Sequence, residues 1–290
     1  MLPVFVSILK GTIKMKIVIK VGTSTLVDEL IGEFRKDVFQ SLCEQIAVMK
    51  GAKHQVVLVT SGACGLGKSE LIEGGETELA CDKAICATVG QSSLMELYKR
   101  EFRKHRIVVG QTLLAGKQDY KKEMTGSTLN KSLESGLLQI VNANDAVYDE
   151  QMRIGDNDTL SAEVARIVKA DKLVMVTDTD GFYKDFKNEK LRTLVTNAEA
   201  GEINGLYRHV DMDSGSKGGT GKMKTKLDAA KIATKSGVDT YIVSNCEMNN
   251  LSRLVEGDKS VVATYFEKAK KGSLQQFVEG LRAKISFNLR

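Results

Sequence analysis

The stretch Lys16-Ile-Val-Ile-Lys-Val-Gly-Thr-Ser-Thr25 begins with branched apolar residues and ends in glycine, threonine and serine. A short apolar run that stops at turn residues is typical of a buried strand. Small residues after a strand expose backbone N–H groups to anions, and open α/β sheets bind ligands beyond the carboxyl ends of their strands. Lys20 is therefore placed to meet a phosphate, although an ordinary turn with a solvated lysine explains the stretch taken alone.

Six further segments have the same apolar character: Gln55–Thr60, Ile107–Leu114, Leu138–Val141, Leu173–Thr177, Thr240–Val243 and Val261–Tyr265. Apolar residues recur at helical spacing between many of them, as in the segment from Phe34 to Met49. That segment closes at Gly51, where a helix favours a C-terminal glycine. The alternation of strands and helices predicts an α/β fold in which helices sandwich a mainly parallel, open sheet.

The composition excludes several classes of protein. Of 290 residues, 42% are apolar and 27% charged, which suits a folded chain with a sizeable core. The net charge of +5 comes with only 6% aromatic residues, so neither the basic stripe nor the stacking aromatics of a nucleic-acid surface are expected. The apolar segment Leu2–Leu9 is too short to span a membrane. Five cysteines without a CxxC pair indicate thiols in the reducing cytoplasm.

Small residues also follow the strand at Gln55–Thr60. Ser61 and Gly62 offer a hydroxyl and a backbone N–H that suit a carboxylate or a phosphate. The glycine that precedes a hydrolase nucleophile by two residues is missing, so a serine nucleophile is not expected.

Two clusters of asparagine and aspartate lie at Val141–Ala146 and Asp156–Ser161. A helix from about Asp158 would place Leu160, Val164, Ile167 and Val168 on one apolar face. Either Asp156 or Asp158 is then explained as the N-cap of that helix. The remaining members of the two clusters are suited to holding an ammonium group, or to ordering lysines and a metal ion. The spacing of a calcium-binding EF-hand loop is absent.

Two later segments have both a structural and a functional interpretation. The strand that ends at Thr177 and Asp178 leads to Gly181, which fits a hairpin turn or a nucleotide site. The glycine-rich segment Ser214–Lys226 leads into a helix and brings several lysines to its start, as in an anion site, although a flexible surface loop is the alternative. It is not a P-loop, because Met223 stands where serine or threonine is required.

Seven segments, in order and spacing, resemble the amino acid kinase family: Lys20–Thr25, Thr60–Ala63, Ala87–Gln91, Asn142–Val147, Gly155–Ala162, Thr177–Asp178 and Gly219–Lys226. Each motif is weak alone, but seven in series are specific. The resemblance is to the branch that uses ATP to phosphorylate the γ-carboxylate of L-glutamate, the first step of proline biosynthesis. Two alternatives stay open: another family member acting on acetylglutamate or aspartate, and a non-catalytic amino acid or nucleotide sensor on the same fold.

The resemblance implies roles for individual residues and a requirement for ATP and Mg²⁺. Lys20, Lys226 and Asp158 are implied as the catalytic group. The residues implied in substrate binding are Ser61, Gly62, Asp145, Asp156 and Asn157. Those implied in ATP binding are Lys20, Gly22, Thr177, Asp178, Gly181, Gly219, Gly221, Met223 and Lys226. No side chain is assigned as a direct metal ligand. The family usually has glutamate at the position of Ala143 and glycine at that of Lys222.

The resemblance also implies the domain organisation and partners. The kinase domain is predicted over 15–266, with an amino acid lobe to about residue 170 and a nucleotide lobe after it. Residues 1–14 are predicted to be an N-terminal extension, and 267–290 a lysine-rich helix in place of the PUA-type domain of many relatives. We expect a homo-oligomer, dimer or tetramer, in the cytoplasm, with proline as a feedback inhibitor and with neither nucleic acid nor membrane as a partner.

Overall fold

A computed structural model describes residues 14–27, 33–116, 118–119, 123–147, 156–185, 188, 190–210 and 220–270. Its strands are β1 (Lys16–Val21), β2 (Gln55–Thr60), β3 (Val109–Leu114), β4 (Leu138–Ala143), β5 (Lys172–Thr177), β6 (Tyr183–Lys184), β7 (Thr193–Leu194), β8 (Asn197–Glu199), β9 (Asp239–Ser244) and β10 (Ala263–Glu267). All seven predicted strands are present, and their ends differ from the prediction by at most two residues.

Eight of these strands form one sheet in the order β3-β4-β2-β1-β5-β9-β10-β8. The first six strands in this order, β3, β4, β2, β1, β5 and β9, run parallel to one another. Strand β10 is antiparallel to β9. Strands β6 and β7 form a separate antiparallel pair. The order places β1 between β2 and β5, where the chain changes the side on which it adds strands. In open α/β sheets such a switch point is where ligands bind.

The described helices are α1 (Thr23–Leu26), α2 (Lys36–Gly51), α3 (Ala63–Glu73), α4 (Lys83–Lys104), α5 (Glu123–Glu134), α6 (Asn157–Val168), α7 (Ile203–Leu206), α8 (Thr220–Lys235) and α9 (Leu251–Val255). They cover both faces of the sheet. Val18 of β1 belongs to a core with α5, α6 and α8, while its neighbours Ile17 and Ile19 belong to a second core with α2, α4 and α9. The mainly parallel sheet sandwiched by helices is therefore confirmed.

The helix predicted from Phe34 differs at both ends. Phe34 lies before α2 and pairs with Val27 in an isolated bridge, so the helix begins at Lys36. Gly51 is the last helical residue, and the left-handed conformation falls instead on Lys53, with φ of 69°. The reason is the chain reversal after the helix, in which the His54 N–H donates to the Met49 carbonyl.

Two glycines let α3 and α4 approach each other closely. A Cβ on Gly67 would lie 1.9 Å from the Cys86 carbonyl oxygen, and one on Gly90 would lie 1.9 Å from that of Ala63. Since neither position has room for a side chain, the contact holds the start of α3 against α4. Among the described helices, none is long and apolar enough to cross a bilayer.

Candidate active site

Two lysines from distant parts of the chain converge on Asp158. Lys20 lies near the end of β1, and its Nζ is 2.7 Å from Asp158 Oδ1. Lys226, in the second turn of α8, places its Nζ 3.2 Å from Asp158 Oδ2. Thr225 donates a hydrogen bond of 2.8 Å to that same oxygen. A Cβ on Gly22 would lie 3.2 Å from Lys20 Nζ, so a glycine there leaves the ammonium group room.

All three charged groups are buried, with 3% of Asp158, 5% of Lys226 and 6% of Lys20 exposed. Burial alone would raise the pKa of Asp158, but the charges of the two lysines and the hydrogen bonds from Lys20 and Thr225 lower it to about 2, so the carboxylate is ionised. Burial and the charge of Lys20 lower the pKa of Lys226, against the opposing effects of Asp158 and Asp178. Two cations and one anion leave this cluster a net positive charge beyond the strand ends, as an anionic ligand requires.

A second group joins α6 to the end of β2. Asn157 Nδ2 donates to Ser61 Oγ at 2.7 Å and to the Thr60 carbonyl at 3.1 Å. Gly62 has φ of 106°, a left-handed conformation that favours glycine, and it starts α3 directly after Ser61. The structure therefore brings Ser61 and Asn157 into contact, two motifs that lie far apart in sequence.

Asp156 and Asp158 have different environments. Asp156 is exposed and caps α6, with its side chain accepting a hydrogen bond of 2.9 Å from the Thr159 N–H. Asp158 lies two residues further along, within the first turn of α6, and contacts both lysines. The N-cap that the sequence left open between these two residues is thus Asp156.

Asp145 begins a short 3₁₀ turn after β4 and lines a cavity of about 800 Å³, together with Ala63, Gln91 and Asn144. The Cys64 thiol donates a long hydrogen bond of 3.8 Å to Asp145 Oδ2. Burial raises the pKa of Asp145, while the hydrogen bond from Cys64 and the charge of Lys83 oppose that rise.

Lys20 and Gly22, assigned to ATP, lie at the end of β1. Other residues assigned to ATP lie at the end of β5, the strand on the opposite side of β1 from β2, and at the start of α8. Thr177 is buried and donates to the carboxylate of exposed Asp178. Met223 is half-buried against the core that includes α8. Gly221 lies in the first turn of α8, and Gly219 falls outside the described residues.

Two details of this side were open in the sequence and are visible in the structure. The Asp-Gly turn before Phe182 does not close a two-residue hairpin, because the antiparallel partner of β6 is β7. Gly181 is required for packing: its φ is 151°, and a Cβ there would lie 2.5 Å from Thr264 Oγ1. Lys224, one of the lysines at the start of α8, pairs with Asp228 at 2.8 Å, and both side chains are well exposed.

Four side chains of the site have no role assigned from sequence: Cys64, Gln91, Asn142 and Thr225. Asn142 accepts a hydrogen bond from Asn157 and donates one to Gln91, so it joins the second group to α4. The segment Ala87–Gln91 is one of the seven that carry the family resemblance, and so it indicated that this part of α4 belongs to the site. The sequence of a helix does not show which of its polar residues faces the site.

Buried lysines and an aspartate at the switch point of a parallel sheet fit a phosphoryl-transfer enzyme, in which cations stabilise the charge on the transferring group. The chain belongs to the amino acid kinase family, whose model matches residues 15–244. It is 34% identical over 276 residues to glutamate 5-kinase from Carboxydothermus hydrogenoformans, covering 93% of this chain and 73% of that protein. It is 37% identical over 266 residues to glutamate 5-kinase from Streptococcus pneumoniae strain Hungary19A-6, covering 89% and 69%. The chain is therefore a kinase.

The fold is shared with solved structures at lower identity. Carbamate kinase from Giardia lamblia bound to AMP-PNP superposes with a TM-score of 0.66 at 14% identity, covering 88% of this chain and 99% of that one. Isopentenyl phosphate kinase gives a TM-score of 0.59 at 14% identity, covering 87% and 99%. These likenesses establish the fold alone.

Proposed function

We propose that the chain transfers the γ-phosphoryl group of ATP to the γ-carboxylate of L-glutamate, forming γ-glutamyl phosphate for proline biosynthesis. The observation that carries the proposal is the convergence of Lys20 and Lys226 on buried Asp158. Glutamate as the substrate is supported by the 34–37% identity to glutamate 5-kinases over about nine-tenths of this chain.

The reaction requires charge neutralisation more than proton transfer. A glutamate side-chain carboxyl group has an ordinary pKa of ~4.3, so the attacking oxygen is already anionic at neutral pH and needs no general base. Its approach to the γ-phosphate is opposed by repulsion between two anions. Lys20 and Lys226 stand where they would lower that repulsion and stabilise the charge on the transferring group. Asp158 acts as a positioning residue that holds both ammonium groups.

Mg²⁺, when bound together with ATP, would neutralise part of the charge of the phosphates. Within the described ranges no group of three histidine, cysteine, aspartate or glutamate side chains could hold a metal ion. Mg²⁺ commonly binds through substrate phosphates and one or two carboxylates. Asp178 is exposed directly after β5, and its charge acts on Lys226, so we propose it for that contact.

A substrate panel tests the proposal. Release of ADP from ATP is measured with L-glutamate, N-acetylglutamate and L-aspartate, each at several concentrations with Mg²⁺ present. We expect the highest kcat/KM with L-glutamate. A preference for N-acetylglutamate or aspartate would move the chain to another branch of the family, and ligand binding without ADP release would favour a sensor.

Asp145 is proposed to pair with the substrate ammonium group. Replacing it by asparagine is expected to raise the KM for glutamate by ~10–100-fold, the usual effect of losing a hydrogen bond to a charged group. The KM for ATP should change little. An equal rise in both KM values would place Asp145 outside the amino acid pocket.

The pH dependence of the KM for glutamate checks the same residue. Because burial raises the pKa of Asp145, the carboxylate takes up its proton at a higher pH than an ordinary aspartate does. The KM for glutamate should therefore rise as the pH falls through that raised pKa. This rise should be missing in Asp145→Asn, in which only the titration of the substrate itself remains.

We propose that free proline binds in the same pocket. It shares the α-carboxylate and the cationic nitrogen of glutamate but has no γ-carboxylate to accept a phosphoryl group. Its inhibition should weaken as glutamate rises, and by linkage glutamate must weaken proline binding by the same factor. Initial rates over a grid of both ligands measure this. Inhibition that glutamate does not relieve would contradict the shared pocket.

Four further expectations stay predictions: the homo-oligomeric state, the cytoplasmic location, Asp156 as a substrate contact, and the division into two lobes near residue 170. The sheet is continuous across that division, because β1 pairs with both β2 and β5. The extension over 1–14 and the helix over 267–290 lie almost wholly outside the described residues; within them, Glu267 ends β10.

A further inference from the structure

A chain of side-chain amides runs from α6 to α4. The Ala143 backbone N–H donates to Asn142 Oδ1 at 2.9 Å. Because a backbone N–H can only donate, this contact fixes which end of the Asn142 amide is the oxygen. The Asn142 Nδ2 group therefore faces Gln91 and donates to its Oε1 at 2.8 Å.

The orientation of Asn157 is fixed in the same way. Its Nδ2 donates to the Thr60 carbonyl, which can only accept, and also to Asn142 Oδ1 at 3.1 Å. Two buried atoms of the network make no hydrogen bond within it: Asn157 Oδ1, an acceptor, and Gln91 Nε2, a donor. Neither has a hydrogen-bond partner in the described part of the chain. Buried polar atoms are normally paired, so each of these is expected to find its partner in a ligand.

Gln91 and Asp145 line the same cavity. The ammonium group and the α-carboxylate of an amino acid share one carbon atom, so the groups that bind them must lie side by side. With the ammonium group at Asp145, a carboxylate beside it calls for a donor. Gln91 accepts a hydrogen bond from Asn142, three residues before Asp145, and its Nε2 group is the donor that the amide network leaves free for this purpose. We infer that Gln91 Nε2 donates a hydrogen bond to the α-carboxylate of the amino acid substrate and thereby selects ligands that carry that group.

This inference rests on the proposed function for the position of the ammonium group. The cations Lys99, Arg100 and Arg103 line the cavity too, but Lys99 is eight residues further along α4, ~12 Å by helix geometry.

The test uses Gln91→Glu, which keeps an oxygen to accept from Asn142 and replaces the donor by an anionic oxygen. Dissociation constants are measured for L-glutamate, for ATP and for 4-aminobutyrate, which is glutamate without its α-carboxylate. We expect glutamate to bind at least ~10-fold more weakly, as for loss of a charged hydrogen bond, with binding of ATP and 4-aminobutyrate unchanged. Gln40→Glu, the same change at an exposed position of α2 that does not line the cavity, is the control and should leave glutamate binding unchanged.

A second variant, Gln91→Met, removes the amide without adding charge. It keeps the inference testable if Gln91→Glu does not fold. It should weaken glutamate selectively as well. Equal weakening of glutamate, 4-aminobutyrate and ATP would indicate a structural role and overturn the inference, as would unchanged glutamate binding in both variants. Because binding is measured, the result stands apart from the kinase assay: wild-type protein that binds glutamate without ADP release would defeat the proposed function alone.

Discussion

Replacing Lys226 by alanine is expected to lower kcat by ~10²–10³-fold, the usual loss when one group that stabilises transition-state charge is removed. The KM values for ATP and glutamate should change far less, because the charge that Lys226 meets grows as the phosphoryl group leaves ATP. Its ammonium group is already held by Asp158, so no reorganisation is needed when that charge develops. Steady-state rates with each substrate varied in turn measure the effect.

Lys224→Ala is the matched control. Lys224 lies in the same helix two residues earlier, but its ammonium group pairs with Asp228 on an exposed face. Surface pairs of this kind contribute little, so kcat should stay within about two- to threefold of wild type. Similar losses in the two variants would show that α8 needs its general positive charge and that Lys226 has no special role in transfer.

The strands were predictable because parallel strands covered on both faces are apolar along their whole length. β2 is buried at every position, and its predicted bounds agree with the structure. The end of α2 was harder to predict from the sequence, since a glycine marks the end of a helix only where the backbone needs a left-handed residue. Here Lys53 adopts that conformation, and no local pattern marks it.

The catalytic group was predictable only through the family resemblance. Lys226 and Asp158 are 68 residues apart, and nothing in either local sequence indicates their contact. Residue spacing did hold one clue. Asp158, Ser161, Ala162 and Ala165 form a buried stripe along α6, and an acidic residue within such a stripe needs a buried cation. The orientation of Gln91 had no such signal, because it depends on the amide network across three elements.

Replacing Asp158 by asparagine is expected to lower the free energy of unfolding by about 3–5 kcal/mol, the usual cost of removing one partner from a buried ion pair. Two lysine side chains, each with 8% or less of its surface exposed, would then face each other without a counter-charge. Chemical denaturation with and without the substitution measures the loss. Asp156→Asn is the control for stability, since asparagine caps a helix as well as aspartate does.

Two additions to this experiment separate electrostatics from packing. Inorganic phosphate or ATP should stabilise Asp158→Asn more than wild type, because phosphate oxygens can take the place of the lost carboxylate as partners of the lysines. The difference in the free energy of unfolding between wild type and Asp158→Asn should also shrink as the pH rises towards ~10.4, the ordinary lysine pKa. A buried lysine without its counter-charge has a lowered pKa in the folded state. Folding then releases its proton, so folding becomes more favourable as the pH rises. A deficit that neither phosphate nor pH alters would mean that Asp158 stabilises the fold through its shape and hydrogen bonds, and its role in holding the two ammonium groups would be wrong.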